Sequence, residues 1–245
     1  VQPCRIKTQQ GHKETTGSSP ENRARTVTVD QDYERWAPDI GEETVTIFFS
    51  ADLHLGHVRC AENWRPFATV EEMNAGLIHN WNKRVKEDDT VYFLGDACMG
   101  TIAETLPLIA TLNGRKILIP GNHDRCSPMY WPKRDKSWDW RGRYNEVFSL
   151  IVEYWATESK SIPFSVGNIP VDLSHFPYAG VDHTEEARYP EYRPVDRGKI
   201  LLHGHTHNHS PVTGEKMIDV GQDAWNYTPV SEDEIVNLIR GAGWE

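Results

Sequence analysis

The sequence predicts an α/β domain of two packed sheets with helices outside. Three observations lead there. The first half alternates β-rich runs with helical periods, in the order βαβαβ. The second half is a series of short strands with few helices between them. Five short blocks bearing Asp, Asn or His each follow a predicted strand.

The elements follow in order. Residues 1–43 are polar, with Thr15-Thr16-Gly17-Ser18-Ser19-Pro20 at their centre, and carry little apolar periodicity. Such a segment buries too little surface to offset its ordering entropy, so it reads as a flexible tail. The folded domain is expected over 44–245. Thr44 to Ser50 is a strand rich in β-branched and aromatic residues. Thr69-x-x-Glu72 is a capping box, and Met73, Leu77, Trp81 and Val85 then recur on one helical face. Val91 to Leu94 is the second strand. A second helix runs from Ile102 to Leu112 and stops at Asn113-Gly114. Lys116 to Pro120 is the third strand. Strands are then expected over Val147–Trp155, Ile162–Val166, Val171–Ser174, Lys199–His203 and Lys216–Val220. Ser231-x-x-Glu234 caps a last helix carrying Ile235, Leu238 and Ile239.

Composition narrows the partners. A length of 245 residues suits one sizeable α/β domain or two small ones. With 26 Lys and Arg against 36 Asp and Glu, the net charge is -10. A protein that grips long nucleic acid through its phosphates is usually basic, so this balance favours a small or locally bound substrate. Cys4, Cys60, Cys98 and Cys126 form no C-x-x-C pair, which points to free thiols in a reducing, cytoplasmic setting. No apolar run approaches the ~20 residues needed to cross a bilayer.

Five blocks carry the chemistry: Asp52-Leu53-His54, Gly95-Asp96, Gly121-Asn122-His123-Asp124, His175, and Gly204-His205-Thr206-His207. Each follows a predicted strand, where loops of an α/β sheet converge. Any one of them is ordinary turn chemistry, and only the ordered set is specific. Two carboxylates, one amide and several imidazoles suit a pair of transition-metal ions that activate a water. His57, His203 and His209 flank the blocks and could orient ligands. His12, His79 and His183 fit no such slot.

The ordered set resembles the calcineurin-like metallophosphoesterase superfamily, with its motifs D-x-H, G-D, G-N-H-[DE], H and G-H-x-H. The resemblance covers residues 44 to about 225. Arg65-Pro66-Phe67, Ser174 to Tyr178, and Asp223 to Ser231 also resemble a small bacterial and phage subgroup. The fold implied is a four-layer α/β/β/α sandwich of two mixed sheets. By motif position, the resemblance implies that Asp52, His54 and His207 hold one metal and Asn122, His175 and His205 the other. Asp96 would bridge them. His123 would meet the phosphate and the leaving oxygen, with Asp124 orienting it. One departure is Met99, where the family often has an acidic or amide residue.

The activity implied is phosphoester hydrolysis by in-line attack of a hydroxide held between two divalent metals. The mixed nitrogen and oxygen ligands favour manganese, with iron, zinc, cobalt or nickel as alternatives. Phosphodiesters, among them small or cyclic nucleotides, are the leading substrate class. A phosphomonoesterase or protein phosphatase is the alternative, followed by a nuclease and a non-catalytic scaffold. Two segments are candidates for substrate contact. Residues 125–144 interleave Tyr130, Trp131, Trp138, Trp140 and Tyr144 with Lys133, Arg134, Lys136, Arg141 and Arg143. That pattern suits either a base-stacking platform or aromatics packed onto the domain. Phe176 to Pro194 adds Tyr178, Arg188, Tyr189, Tyr192 and Arg193 beside His175.

Overall fold

Alternation along the first strand decides which layer each side chain enters. Phe48 faces a core shared with helices, and its neighbour Phe49 faces a core shared with a second sheet. The computed structural model describes residues 45–127, 129, 137–154, 157–178 and 188–245. The polar segment 1–43 lies outside the described residues. In chain order the elements are β1 (Ile47–Ser50), α1 (Val58–Asn63), α2 (Val70–Arg84), β2 (Thr90–Phe93), α3 (Ile102–Thr105), β3 (Arg115–Leu118), α4 (Ser137–Val147) and β4 (Leu150–Ile151). There follow β5 (Ile162–Val166), β6 (Ile169–Leu173), β7 (Ile200–His203), β8 (Val212–Gly214), β9 (Met217–Asp219), β10 (Val230–Ser231) and α5 (Glu232–Gly241).

The strands form two mixed sheets, ordered β10-β1-β2-β3-β4 and β5-β6-β7-β9-β8. In the first sheet β1, β2, β3 and β4 run parallel, and β10 closes one edge antiparallel to β1. In the second, β6, β7 and β9 are parallel, with antiparallel edges β5 and β8. Phe49, Leu94 and Ile119 from the first sheet meet Leu173, Leu202 and Ile218 from the second. Ile235, Val236 and Ile239 of α5 join that core. On the other face of the first sheet, Phe48, Val91, Phe93 and Leu118 meet Met73, Leu77 and Trp81 of α2. The opposite face of the second sheet carries Leu201 and Met217, which pack with Tyr178. This is the mixed α/β architecture expected.

Helix α2 forms where the pattern places it. Thr69 accepts a hydrogen bond from the Glu72 amide at 3.2 Å, and Met73, Leu77 and Trp81 are fully buried. The Trp81 indole also donates to the Asn113 carbonyl at 3.0 Å. Truncating a buried side chain of this size would cost about 3–5 kcal/mol. At the C-terminus, Ser231 and Glu234 complete a reciprocal capping box on α5.

Two expectations need correction. The helix predicted over 102–112 is α-helical only to Thr105, then tightens to a 3-10 turn over Leu106–Thr111. Pro107 lacks the amide that an α-helix would bond to residue 103. The strand predicted over Val147–Trp155 shrinks to Leu150–Ile151, and α4 occupies the preceding residues. Trp140, Tyr144 and Phe148 lie four apart on the core-facing side, a helical period hidden among cations. The short helix α1 also has no counterpart in the sequence reading. Among the described residues, no helix is long and apolar enough to cross a membrane.

Candidate metal centre

The strand ends deliver all five blocks to one place. Asp52 and His54 follow β1, Asp96 follows β2, Asn122 and His123 follow β3, His175 follows β6, and His205 and His207 follow β7. The loops are locked to each other by their backbones. Asp52 N donates to Gly95 O at 3.0 Å, His54 N to Asp96 O at 3.1 Å, and Gly204 N to His175 O at 3.0 Å. Asp52, His54, Asp96, His205 and His207 all adopt positive φ, between 49° and 72°. Few residues other than Gly sit there without strain, and such strain clusters at functional sites. Gly95 lets the loops approach: at φ 90° an added Cβ would lie 2.5 Å from Gly121 N and 2.7 Å from the His175 ring.

Two groups of side chains converge closely enough to hold ions: Asp52, His54 and His207, and Asp52, Asp96 and His175. His54 Nε2 lies 3.6 Å from Asp52 Oδ1 and 3.8 Å from Asp96 Oδ2. His207 Nε2 is 3.9 Å from Asp52 Oδ1, and His175 Nε2 is 3.5 Å from Asp96 Oδ2. Asp96 therefore reaches both groups, as a bridge would, but Asp52 is the member they share. Asn122 Oδ1 stands 3.1 Å from His175 Nε2. His205 belongs to neither close group. Its amide donates to Asp52 Oδ2 at 2.8 Å, and its ring packs 5.3 Å from that of His175.

The donor set fits cations on three counts. Asp52 and Asp96 are buried, and burial pushes both carboxyls up, to about 7. Such carboxylates need a positive partner to stay ionised. Asp52 Oδ1 and both ring nitrogens of His54 are buried without a hydrogen-bond partner, a costly state that metal bonds would relieve. His175 donates from Nδ1 to the Leu94 carbonyl at 2.7 Å. Burial lowers its pKa and keeps the ring neutral. Its Nε2 lone pair then faces two oxygens, an arrangement that a bound cation resolves.

His123 stands apart from both groups. Its amide donates to Asp96 Oδ1 at 2.7 Å, while its imidazole is 37 % exposed and lines the cavity. Burial lowers its pKa, and the Asp124 charge pulls the other way. Asp124 does not bond that ring. Its carboxylate accepts the amides of Asp96 at 2.8 Å, Ala97 at 3.1 Å and Gly121 at 2.8 Å. Its influence on His123 therefore passes through charge and through the loops it ties.

The cavity above these residues has a volume of about 710 Å³. Beyond the ligand candidates its lining includes His57, Trp64, Met99, Arg188, His209 and Asp223. No described residue of 125–144 reaches it. Tyr144 is fully buried, and the guanidinium groups of Arg125 and Arg143 each lie 5.0 Å from the Trp140 ring. Those two rings pack on the domain, while Tyr130, Trp131 and the side chain of Trp138 lie outside the described residues. The 176–194 segment does contribute, through Arg188. Tyr178 is buried, and Tyr189 packs against Phe176 and His205. His203 is a satisfied core residue, bonded to Gly204 O at 2.8 Å and Thr213 Oγ1 at 2.7 Å.

Sequence reasoning assigned no role to Trp64, Arg65 or Asp223. Trp64 is 61 % exposed at the cavity wall, against His57. Arg65 and Asp223 form a buried ion pair that reaches His207. Burial alone would raise the Asp223 carboxyl, but bonds from His207 and Arg65 hold it far below the usual range. Burial likewise opposes charge on His207, yet Asp223 and Asp52 push that imidazole up to about 9.

Comparison with known proteins shows the family. The calcineurin-like phosphoesterase family model matches residues 45–215. The Gene 66 protein of Mycobacterium phage D29 is 38% identical over 202 residues, covering 79% of this chain and 96% of that protein. The Gene 66 protein of Mycobacterium phage L5 is 41% identical, covering 79% of this chain and 93% of its own. The crystal structure of AQ665 from Aquifex aeolicus, a protein of unknown function, superposes with a TM-score of 0.58 at 27% identity. It covers 80% of this chain and 100% of that one. The chain belongs to the calcineurin-like phosphoesterase family, a class of metal-dependent phosphoester hydrolases.

Proposed function

We propose that this phosphoesterase hydrolyses phosphodiesters of small molecules, with linear and cyclic nucleotides as the leading class. The observation that carries the reading is the cavity. Its size lies within the range of small-molecule sites, roughly 300–1,000 Å³, and it combines the metal-binding candidates with an exposed indole and a guanidinium. Trp64 offers a face for a planar substituent, and Arg188 offers charge to a phosphate or its ester arm. The net charge of -10 argues against gripping long nucleic acid.

Asp52, His54 and His207 would hold one ion, and Asn122, His175 and His205 the other, with Asp96 between them. Two divalent cations there, manganese by preference, would neutralise phosphoryl charge and supply an activated water. The chain's own residues do the rest. His123 presents its imidazole to the cavity, where it can give a proton to the leaving oxygen. A bound phosphate would favour the imidazolium and oppose the effect of burial. Asp124 keeps the loops of Asp96 and Asn122 in register.

Hydrolysis of bis-p-nitrophenyl phosphate beside p-nitrophenyl phosphate tests the reading, with metal-stripped protein and added Mn²⁺. Faster Mn²⁺-dependent turnover of the diester supports it. A preference for the monoester would move the assignment to a phosphatase.

A further inference from the structure

Arg65 is a buried arginine that touches the metal-binding loops directly. Its side chain is 0% exposed and uses both sides of its fork. On one side, Nη2 donates to Asp52 O at 2.7 Å and Nη1 to Leu53 O at 2.9 Å. On the other, Nε donates to Asp223 Oδ1 at 2.9 Å and Nη2 to Asp223 Oδ2 at 2.8 Å. Asp223 Oδ2 also accepts from His207 Nδ1 at 2.9 Å. One guanidinium therefore grips the backbone of one candidate ligand and the carboxylate that orients another.

We propose that Arg65 and Asp223 are positioning residues for the Asp52–His54–His207 group. The inference rests on the metal-centre reading above. The Asp223 carboxylate can only accept, so Nδ1 of His207 must be the donor and Nε2 is directed toward Asp52. Both Asp223 oxygens are occupied, which leaves it a poor ligand and a good orienter. The Arg65 charge offsets that of Asp223, so the couple adds little net charge beside the ions. A lysine could not span the same four contacts, because an ammonium lacks the planar fork. Among the described residues, Asp96 and His175 make no hydrogen bond or ion pair with the couple, which meets their group only through the Asp52 backbone.

The test is Mn²⁺ binding to the full chain, by calorimetry and by metal analysis after desalting, for wild type, Asp223→Ala and the isosteric Asp223→Asn. Wild type should take up two ions. Both variants should keep one at wild-type affinity and bind the other about 10- to 100-fold more weakly, the usual effect of losing such a partner. Excess Mn²⁺ should then restore most of the turnover, which a general loss of structure would not allow. Asp223→Asn keeps the shape of the site, so it decides the matter if Asp223→Ala fails to fold. Two ions bound by Asp223→Asn with wild-type affinity would overturn the proposal alone. No Mn²⁺ bound by wild type would overturn the metal-centre reading itself, and the proposal with it.

Discussion

His123→Ala removes a ring that the architecture does not use. Among the described residues the imidazole makes no hydrogen bond, and its Nε2 lies 3.9 Å from Asp96 Oδ2. The bond that matters for folding runs from the backbone amide to Asp96 Oδ1 at 2.7 Å, and alanine keeps it. No buried polar atom is orphaned, so stability should change by less than about 1 kcal/mol. Metal content should be unchanged, because neither close ligand group includes this residue. Turnover should fall by about 10²–10⁴-fold, the usual contribution of a positioned acid, or about 3–5 kcal/mol of barrier. The loss should depend on the leaving group. A p-nitrophenolate departs readily without a proton and should show the lower end; an alkoxide needs one and should show the upper end. The assay is kcat on an aryl and an alkyl diester, with thermal unfolding and metal analysis on the same samples. Equal losses on both substrates would refute the proton-donor role. Emptying of the metal site would make His123 a ligand.

Other perturbations probe the frame around the site. Adding Mn²⁺ to metal-stripped protein at about 100 times its Kd should stabilise the fold by about 2.7 kcal/mol per site. That corresponds to a rise in Tm of roughly 5–10 °C for each ion, and an unchanged Tm by scanning fluorimetry would count against binding. Gly121→Ala should lower kcat by about 100-fold or more. Its Cβ would press on the Asp96 carboxylate and lie 2.6 Å from the His175 ring, so kinetics close to wild type would mean that the loops yield more than their bonds suggest. Deleting residues 1–43 should leave kcat and Tm nearly unchanged, and a large loss in either would assign that segment to the domain.

What the sequence revealed, and what it hid, follows from the range of each interaction. Helix α2 was legible because its signal is local: a Thr69 cap and an apolar residue every fourth position. The ligand candidates were legible because each follows an apolar strand, and the sheet itself carries strand ends to one edge. Helix α4 was obscured because Arg141 and Arg143 interrupt Trp140 and Tyr144, so an amphipathic period read as a basic aromatic patch. The Arg65–Asp223 couple joins residues 158 apart. Both stand in stretches that resemble the phage and bacterial subgroup, but that likeness names no pairing between them. Trp64 was equally silent, since only the folded wall of the cavity distinguishes it from an ordinary helix-end aromatic.

The most direct measurement is anomalous diffraction at the manganese edge from crystals soaked in Mn²⁺. Two peaks about 3.5–4 Å apart are expected, one beside Asp52, His54 and His207 and the other beside Asn122, His175 and His205, with Asp96 between them. Peaks elsewhere, or none at this cluster, would contradict the dinuclear centre on which the proposed activity depends.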